Sequence, residues 1–392
     1  MKKHVLNRYE AAIVRNAGWF GAHQDKQGYI DIDGDEFYGV RGDATLVGHS
    51  VTVRMYAHHL TDDEAYLRSA CASLDWLARR QDDRGGWRGH SAFTLDGAQC
   101  VFEGFNAYQS MSGDRRFESV LVRAADRMIS GTIDDRGRLL LPNIIEIGEY
   151  AHFAFLAWKT TGRERFRKAG EAILTHIERN FDEGEGFWRP YDAQAINRIW
   201  PLRLLRPVMR AMATHAPMRG AFMARLSEHL TPLVVADSFP QYALSLMDSE
   251  ALLDTLDGAC SFPKLREQTQ KAVEWAQSAC AGPFPGCLVE SRKLDGRAPV
   301  YPVPIINDAE LAALWPTTCL LLAYCGLNDR RYGDAARQTA EWILSVQDKD
   351  GGFYNFQHPG GAMKPLRSGN VNYYACLALW HFTKVYGETR AP

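Results

Sequence analysis

The chain has 392 residues, 46% of them apolar and 23% charged, with a formal net charge of −2. That length supports a sizeable buried core, and the balanced charge excludes the basic footprint of a nucleic-acid binder and strong attraction to an anionic membrane surface. No stretch reaches the ~18 apolar residues of a membrane span. Met1–Glu10 holds two lysines with no apolar core behind them, so no signal peptide is expected. The eight cysteines are scattered without a Cys-x-x-Cys pair, which reads as reduced, mostly buried thiols in a cytoplasmic protein.

Apolar residues recur at helical spacing along most of the chain. The spacing predicts helices over 5–20, 43–59, 64–80, 95–111, 116–130, 143–160 and 163–180. A loop rich in Asp and aromatic residues, Gly28–Gly42, separates the first two, and Thr61-Asp-Asp-Glu is a capping-box pattern for the third. Between Arg198 and Leu256, helical runs are broken at Pro201, Pro207, Pro217, Pro232 and Pro240. Helices over 264–281, 308–324, 334–346 and 371–386 complete the chain, with Asp308 as the expected N-cap of its helix.

One phrase organises these elements. Trp76–Trp87 reads Trp-Leu-Ala-Arg-Arg-Gln-Asp-Asp-Arg-Gly-Gly-Trp and sits where a helix stops. Gln81 and Asp82 can bond freed backbone groups, Gly85-Gly86 permits a sharp turn, and Trp87 is expected to pack on the next helix. The phrase returns at Trp342–Tyr354, and a looser copy opens the chain at Trp19, Gln24, Gly28 and Tyr29. Trp19 to Trp76 and Gln24 to Gln81 keep the same interval, and Asp82, Asp134 and Asp182 follow at slightly shorter ones. A phrase recurring at such a period signals a repeat architecture. About twelve helices in six hairpins, at roughly 30 residues per helix plus loop, use up the chain. The expected fold is all-α, an (α/α)6 toroid forming one domain over 1–392. Short turns then gather on one face, and the long loops surround the mouth of a central cavity on the other, where function belongs.

At the Gln-Gly-Trp phrases the sequence resembles the QW-type repeats of squalene-hopene cyclases and protein prenyltransferase β subunits. It also looks like the single-toroid carbohydrate enzymes: unsaturated uronidases, polysaccharide lyases and N-acylglucosamine 2-epimerases. The resemblance implies a toroid and leaves the activity open, because the phrase is a structural device. Prenyltransferases need an Asp, Cys, His zinc set; Cys376 and His381 share the last helix, but no Asp-x-Cys precedes them.

Several clusters belong to the long-loop face. The first is Asp31, Asp33, Asp35, Glu36, Tyr38, Arg41 and Asp43, with His49 a little further on. Alternating carboxylates suit acid–base work, a divalent cation or sugar hydroxyls. The second is Glu146, Glu149, Tyr150 and His152, three or four residues apart on one helix that is otherwise apolar; carboxylates there need partners or a cavity. His90 follows Trp87. Arg198 and Trp200 can grip a carboxylate and stack on a sugar ring. Asn307 precedes the helix of Trp315, and the last loop carries His358, Lys364, Arg367, Asn370, Asn372 and Tyr373. Cations and amides converging there suit an anionic or hydroxyl-rich ligand.

Serine-hydrolase elbows, P-loops and dinucleotide fingerprints are absent. The mixture of acids, cations, amides and aromatics favours an enzyme acting on an oligosaccharide, one bearing uronic acid, by lyase or hydrolase chemistry. Glu146, Glu149, Tyr150 and His152 are the expected catalytic set, with Asp33 and Asp35 beside them. Tyr38, Arg41, His90, Arg198, Trp200, Asn307, Lys364, Arg367 and Asn372 are the expected substrate-binding set. No cofactor and no metal ligand set is expected, with a divalent cation left open. The expected partner is the small-molecule or oligosaccharide substrate; no nucleic acid or membrane is expected, and the oligomeric state is unread. A terpenoid cyclase using Asp33–Glu36 as proton donor, and a non-catalytic toroid binding a ligand or protein, are the alternatives.

Overall fold

The computed structural model describes residues 5–32, 44–87, 94–138, 140, 144–184, 186–188, 263–289 and 311–387, with side chains described outside 94–100, 144–150, 152 and 263. Among these residues lie eleven α-helices. They are α1 (Arg8–Ala22), α2 (Ala44–Thr61), α3 (Glu64–Arg80), α4 (Thr94–Ser112), α5 (Glu118–Thr132), α6 (Ile144–Thr161), α7 (Glu164–Arg179), α8 (Pro263–Ala279), α9 (Leu314–Leu327), α10 (Gly333–Ser345) and α11 (Gly369–Val385).

Their burial sorts them into two rings. In α3 only Ala70, Ser73, Leu74, Trp76 and Leu77 are buried, and in α7 only Phe166, Ala169, Gly170, Ile173, Leu174 and Ile177. That is one stripe at three- and four-residue spacing, the mark of a helix with one face in water. In α2, by contrast, 15 of 18 residues are buried, and in α9 all but Trp315. Helices buried all round must be walled in on every side. So α1, α3, α5, α7, α8 and α10 form the outer ring, and α2, α4, α6, α9 and α11 are inner. The inner helices pack in the order α9, α11, α2, α4, α6. The fold is an (α/α)6 toroid. Inner helices pass to outer ones through brief turns, as at 62–63 and 162–163, whereas outer helices return through the long loops.

Six glycines close the outer ring. After α1, α3, α5 and α10 the chain makes the same Asp-x-x-Gly turn: the Gly28, Gly85, Gly137 and Gly351 amides donate to the carbonyls of Asp25, Asp82, Asp134 and Asp348. All four glycines have positive φ, as do Gly186 after α7 and Gly286 after α8. Each turn sits on the next outer helix. A Cβ on Gly28 would strike the Ala72 carbonyl of α3, one on Gly85 the Arg123 carbonyl of α5, and one on Gly286 the Gln338–Thr339 backbone of α10. Gly137 approaches Ala172 of α7, and Gly186 approaches Lys271 of α8. The last, Gly351, sits against the Arg15 carbonyl of α1, so the ring is shut.

The glutamine of the repeated phrase has a different task from the expected one. Gln24 donates to the Ser69 carbonyl of α3, Gln81 to the Val120 carbonyl of α5, and Gln347 to the Ala12 carbonyl of α1, each at 2.9 Å. It thus bonds the neighbouring outer helix and not the end of its own. Trp87 is buried in the core, and its indole N–H donates back to the Leu77 carbonyl of α3 at 2.9 Å.

Five two-residue strands trim the loops. β1 (Phe181–Asp182) pairs with β2 (Phe187–Trp188); β3 (Leu288–Val289), β4 (Ala312–Ala313) and β5 (Phe356–Gln357) make an antiparallel sheet in that order. This sheet corrects the expected helix over 308–324. Ala312 and Ala313 are committed to β3 and β5, so α9 starts at Leu314 with Ala313 as its N-cap, and Asp308 does not cap it. The capping box also moves: α2 runs through Thr61, whose hydroxyl bonds the Ala57 carbonyl, and Asp63 caps α3 by accepting from Ala65. The described cysteine side chains are unbridged, all buried except half-buried Cys71. No helix among the described residues is long and apolar enough to cross a membrane.

Candidate functional site

The inner helices all begin on the long-loop face, and their first turns bring four rings together. The His49 ring of α2 lies flat on Tyr373 of α11, with centroids 4.0 Å apart and 4° between planes. Tyr374 meets His49 edge-on at 5.9 Å and Tyr373 at 5.1 Å. Trp315, in the first turn of α9, stacks on Tyr374 at 6.2 Å. The result is an aromatic wall running Trp315–Tyr374–Tyr373–His49 across three inner helices. Trp315 is half-buried and the other three are buried. Two turns deeper, Tyr56 and Trp380 repeat the α2–α11 stack at 4.4 Å and 7°, which holds the two helices parallel and in register.

His49 is 1% exposed, and its Nδ1 has no hydrogen-bond partner among the described residues. Burial alone pushes its pKa down from 6.5 to about 3, so the imidazole is neutral at any physiological pH. Arg54, on the same helix, is buried as well but points outward. It donates to the Ser69 carbonyl at 3.1 Å, Ser73 Oγ at 3.2 Å and Ser50 Oγ at 3.2 Å. Its desolvated guanidinium has its pKa lowered to about 9.

The sequence-derived site residues fall into three groups. Asp33, Asp35, Tyr38, Arg41, His90, Arg198, Trp200 and Asn307 lie outside the described residues. Glu146, Glu149, Tyr150 and His152 occupy the first half of α6, which is an inner helix as expected and begins on the long-loop face; their side chains are outside the described set. Lys364, Arg367 and Asn372 are described. Lys364 is half-buried with its ammonium 6.0 Å from the Phe356 ring centre.

Arg367 and Asn372 have structural tasks where substrate contacts were expected. The Arg367 guanidinium donates to both Asp350 oxygens at 2.7 and 2.6 Å, contacts Asp348 at 3.4 Å and overlies Trp19 and Tyr354. Asn372 is fully buried. Its Oδ1 accepts from Asn16 at 2.8 Å and Phe353 N at 2.6 Å, while its Nδ2 donates to the Phe353 and Ser368 carbonyls. Every hydrogen-bonding position of that amide is taken by protein. The two residues fasten the last loop to α1 and α11 because the ring closes there. Among the described residues no group of three or more His, Cys, Asp or Glu converges as a metal set.

The sequence reading undervalued His49 and Tyr373, placing them at the edges of polar clusters, and missed Tyr374. The available signal was a histidine inside a helix too apolar for a surface position, matched by a Tyr-Tyr pair in the last helix.

A double helical ring whose interior carries an aromatic wall and a buried imidazole defines the class: an (α/α)6-toroid protein. Solved structures agree on the fold. The chain is similar to a D-mannose isomerase (12% identity, TM-score 0.63, covering 96% of this chain and 97% of that one). It is also similar to cellobiose 2-epimerase from Spirochaeta thermophila (15%, TM-score 0.65, 96% of each chain). A third similar structure is the unsaturated glucuronyl hydrolase of Bacillus sp. GL1 (15%, TM-score 0.62, 96% of each). No family model matches the sequence, and no curated protein matches it by sequence.

Proposed function

We propose that the chain is an enzyme acting on a carbohydrate at the centre of its long-loop face. The observation that carries this reading is the Trp315–Tyr374–Tyr373–His49 wall. Its outer member is a half-buried indole, the kind of ring a sugar stacks on, and its inner member is an ionisable group held neutral. A mostly apolar, aromatic surface with few placed polar groups is how small-molecule sites are built. The toroids it resembles are named for work on mannose, cellobiose and unsaturated glucuronyl sugars, which supports the same substrate class.

In this reading Glu146, Glu149, Tyr150 and His152 of α6 supply the chemistry from across the ring. Lys364 lies in the same loop as Arg367 and is the cation assigned here to an acidic sugar; Arg367 itself is bonded to Asp348 and Asp350. Histidine and tyrosine side chains are the groups that would take a proton from a sugar in lyase-type chemistry, which we favour over two-carboxylate hydrolysis. Epimerisation needs the same proton transfer and is the second reading. The test incubates the protein with D-mannose, cellobiose and unsaturated glucuronyl oligosaccharides. Products are followed by NMR and melting by thermal shift, with isoprenoid diphosphates as the contrasting arm. Conversion of a sugar, together with a raised Tm, is expected. A shift with isoprenoids alone overturns the reading.

A further inference from the structure

Buried polar atoms in folded proteins are nearly always paired, so each unpaired one asks for an explanation. Two such atoms sit on the same side of α2. His49 Nδ1 and Thr52 Oγ1 are both buried and have no hydrogen-bond partner among the described residues. They are three residues apart, hence neighbours on one helix face.

Helix geometry says where that face points. α2 and α4 run parallel and touch at Gly48 and Gly104, where an added Cβ on Gly104 would lie 2.7 Å from the Gly48 carbonyl. One residue after Gly48 and one residue before Gly104 rotate by about 100° in opposite senses, so on parallel neighbours they turn to the same side. These residues are His49 and Glu103. His49 also touches Tyr373 of α11, the inner helix on the far side of α2, so the shared side is the ring interior. Thr52 falls between His49 and the α4 contact on the same side. Glu103 is buried, at 8% exposure. Among the described residues, the titratable groups placed on the imidazole's side are therefore Tyr373 and Tyr374 from α11 and, by helix geometry, Glu103 from α4. Arg54, on the same helix, faces α3.

We propose that His49 and Thr52, with Glu103 beside them on α4, form a proton-handling floor beneath the sugar. It stands apart from the α6 residues and rests on the carbohydrate reading above. A sugar hydroxyl supplies the partner that the two orphaned atoms lack. With Nδ1 unpartnered, the imidazole can hold its proton on Nε2 and accept another at Nδ1. The proton leaves the sugar O–H, the bonding pair stays on oxygen, and the Glu103 carboxylate offsets the imidazolium charge. Return of the proton restores the starting state, so no further reactant is needed.

The experiment uses full-length protein labelled with 15N-histidine, the His49 signals being assigned by their loss in His49→Gln. The signals are recorded from pH 4.5 to 8, then with D-mannose, cellobiose or unsaturated glucuronyl oligosaccharide at the concentrations that raise Tm. The expected result is a neutral imidazole throughout the pH range and displaced His49 signals with whichever sugar raises Tm. Its counterpart in kinetics is a loss of about 100-fold or more in kcat for His49→Gln, with KM little changed. Titration of His49 near pH 6.5 like a surface imidazole overturns the proposal. So does a sugar that raises Tm while the His49 signals stay fixed, an outcome that leaves the carbohydrate reading standing. A protein that no sugar stabilises overturns the carbohydrate reading and this proposal with it.

Discussion

Gln347 donates to the Ala12 carbonyl at 2.9 Å across 335 residues of sequence. The last outer helix is bonded to the first by the device that links α1 to α3 and α3 to α5. Beside it, Asn16 donates to the Gly351 carbonyl at 2.9 Å and to Asn372 at 2.8 Å, so the seam is both bonded and buried. In an open stack of helical hairpins the terminal repeats expose a face; here each covers the other.

The seam glycine should be intolerant of any side chain. Gly351 has φ +98° and lies against the Arg15 carbonyl, whereas Gly361, with φ +91°, has open space around it. Gly351→Ala should destabilise by about 3 kcal/mol or more, and Gly361→Ala by only the ~1 kcal/mol of a strained backbone. Urea midpoints of the two variants measure the difference; equal midpoints would mean that the seam does not hold the ring.

Asn372 should behave as a fastener. Removing a buried amide with four bonds to protein leaves several groups unpaired, so Asn372→Ala should lose about 2–4 kcal/mol. The upward Tm shift caused by a stabilising sugar should survive, measured from the variant's lower starting point. Loss of that shift with an unchanged urea midpoint would restore Asn372 to the substrate.

His49 makes stability depend on acid. Its folded pKa, about 3, lies below the unfolded 6.5. Between those values the unfolded chain binds the extra proton, so stability is full above pH 6.5 and falls as the pH drops toward 3. A shift of that size corresponds to an upper bound of ~5 kcal/mol. Denaturant melts of wild type and His49→Gln at pH 4 and 7 check it. The variant should show a visibly smaller drop between the two pH values.

Arg54 is a buried cation with no carboxylate partner among the described residues, held by three serine oxygens. Its desolvation opposes what its bonds contribute. Arg54→Met, which keeps the volume, should stay within about 1 kcal/mol of wild type, while Arg54→Ala leaves a cavity and should cost about 3 kcal/mol. A calorimetric series reads both; a large loss in the Met variant would show that the guanidinium bonds outweigh the burial of the charge.

Helix positions were legible because they rest on local rules. The expected 64–80 helix is α3 residue for residue, and the apolar segment at 143–160 is the inner helix α6, shifted by one. The errors fall where a distant strand intrudes: nothing near Ala312 announces that Val289 and Gln357 will claim its backbone. Likewise Asn372 and Arg367 look like ligand-binding residues in sequence, since amides and cations serve a sugar and a loop seam equally well.

By itself the sequence determined where the described helices lie and how short and long connections alternate, because helical periodicity and the Asp-x-x-Gly turns are properties of neighbouring residues. Only the tertiary structure decided which polar side chains on the inner helices are left unspent. His49 became a site residue when Tyr373, more than 300 positions away, stacked on its ring and left Nδ1 dry and without a partner. Burial and unmet hydrogen bonding are set by what surrounds a side chain, and ring closure brings those surroundings from the opposite end of the chain.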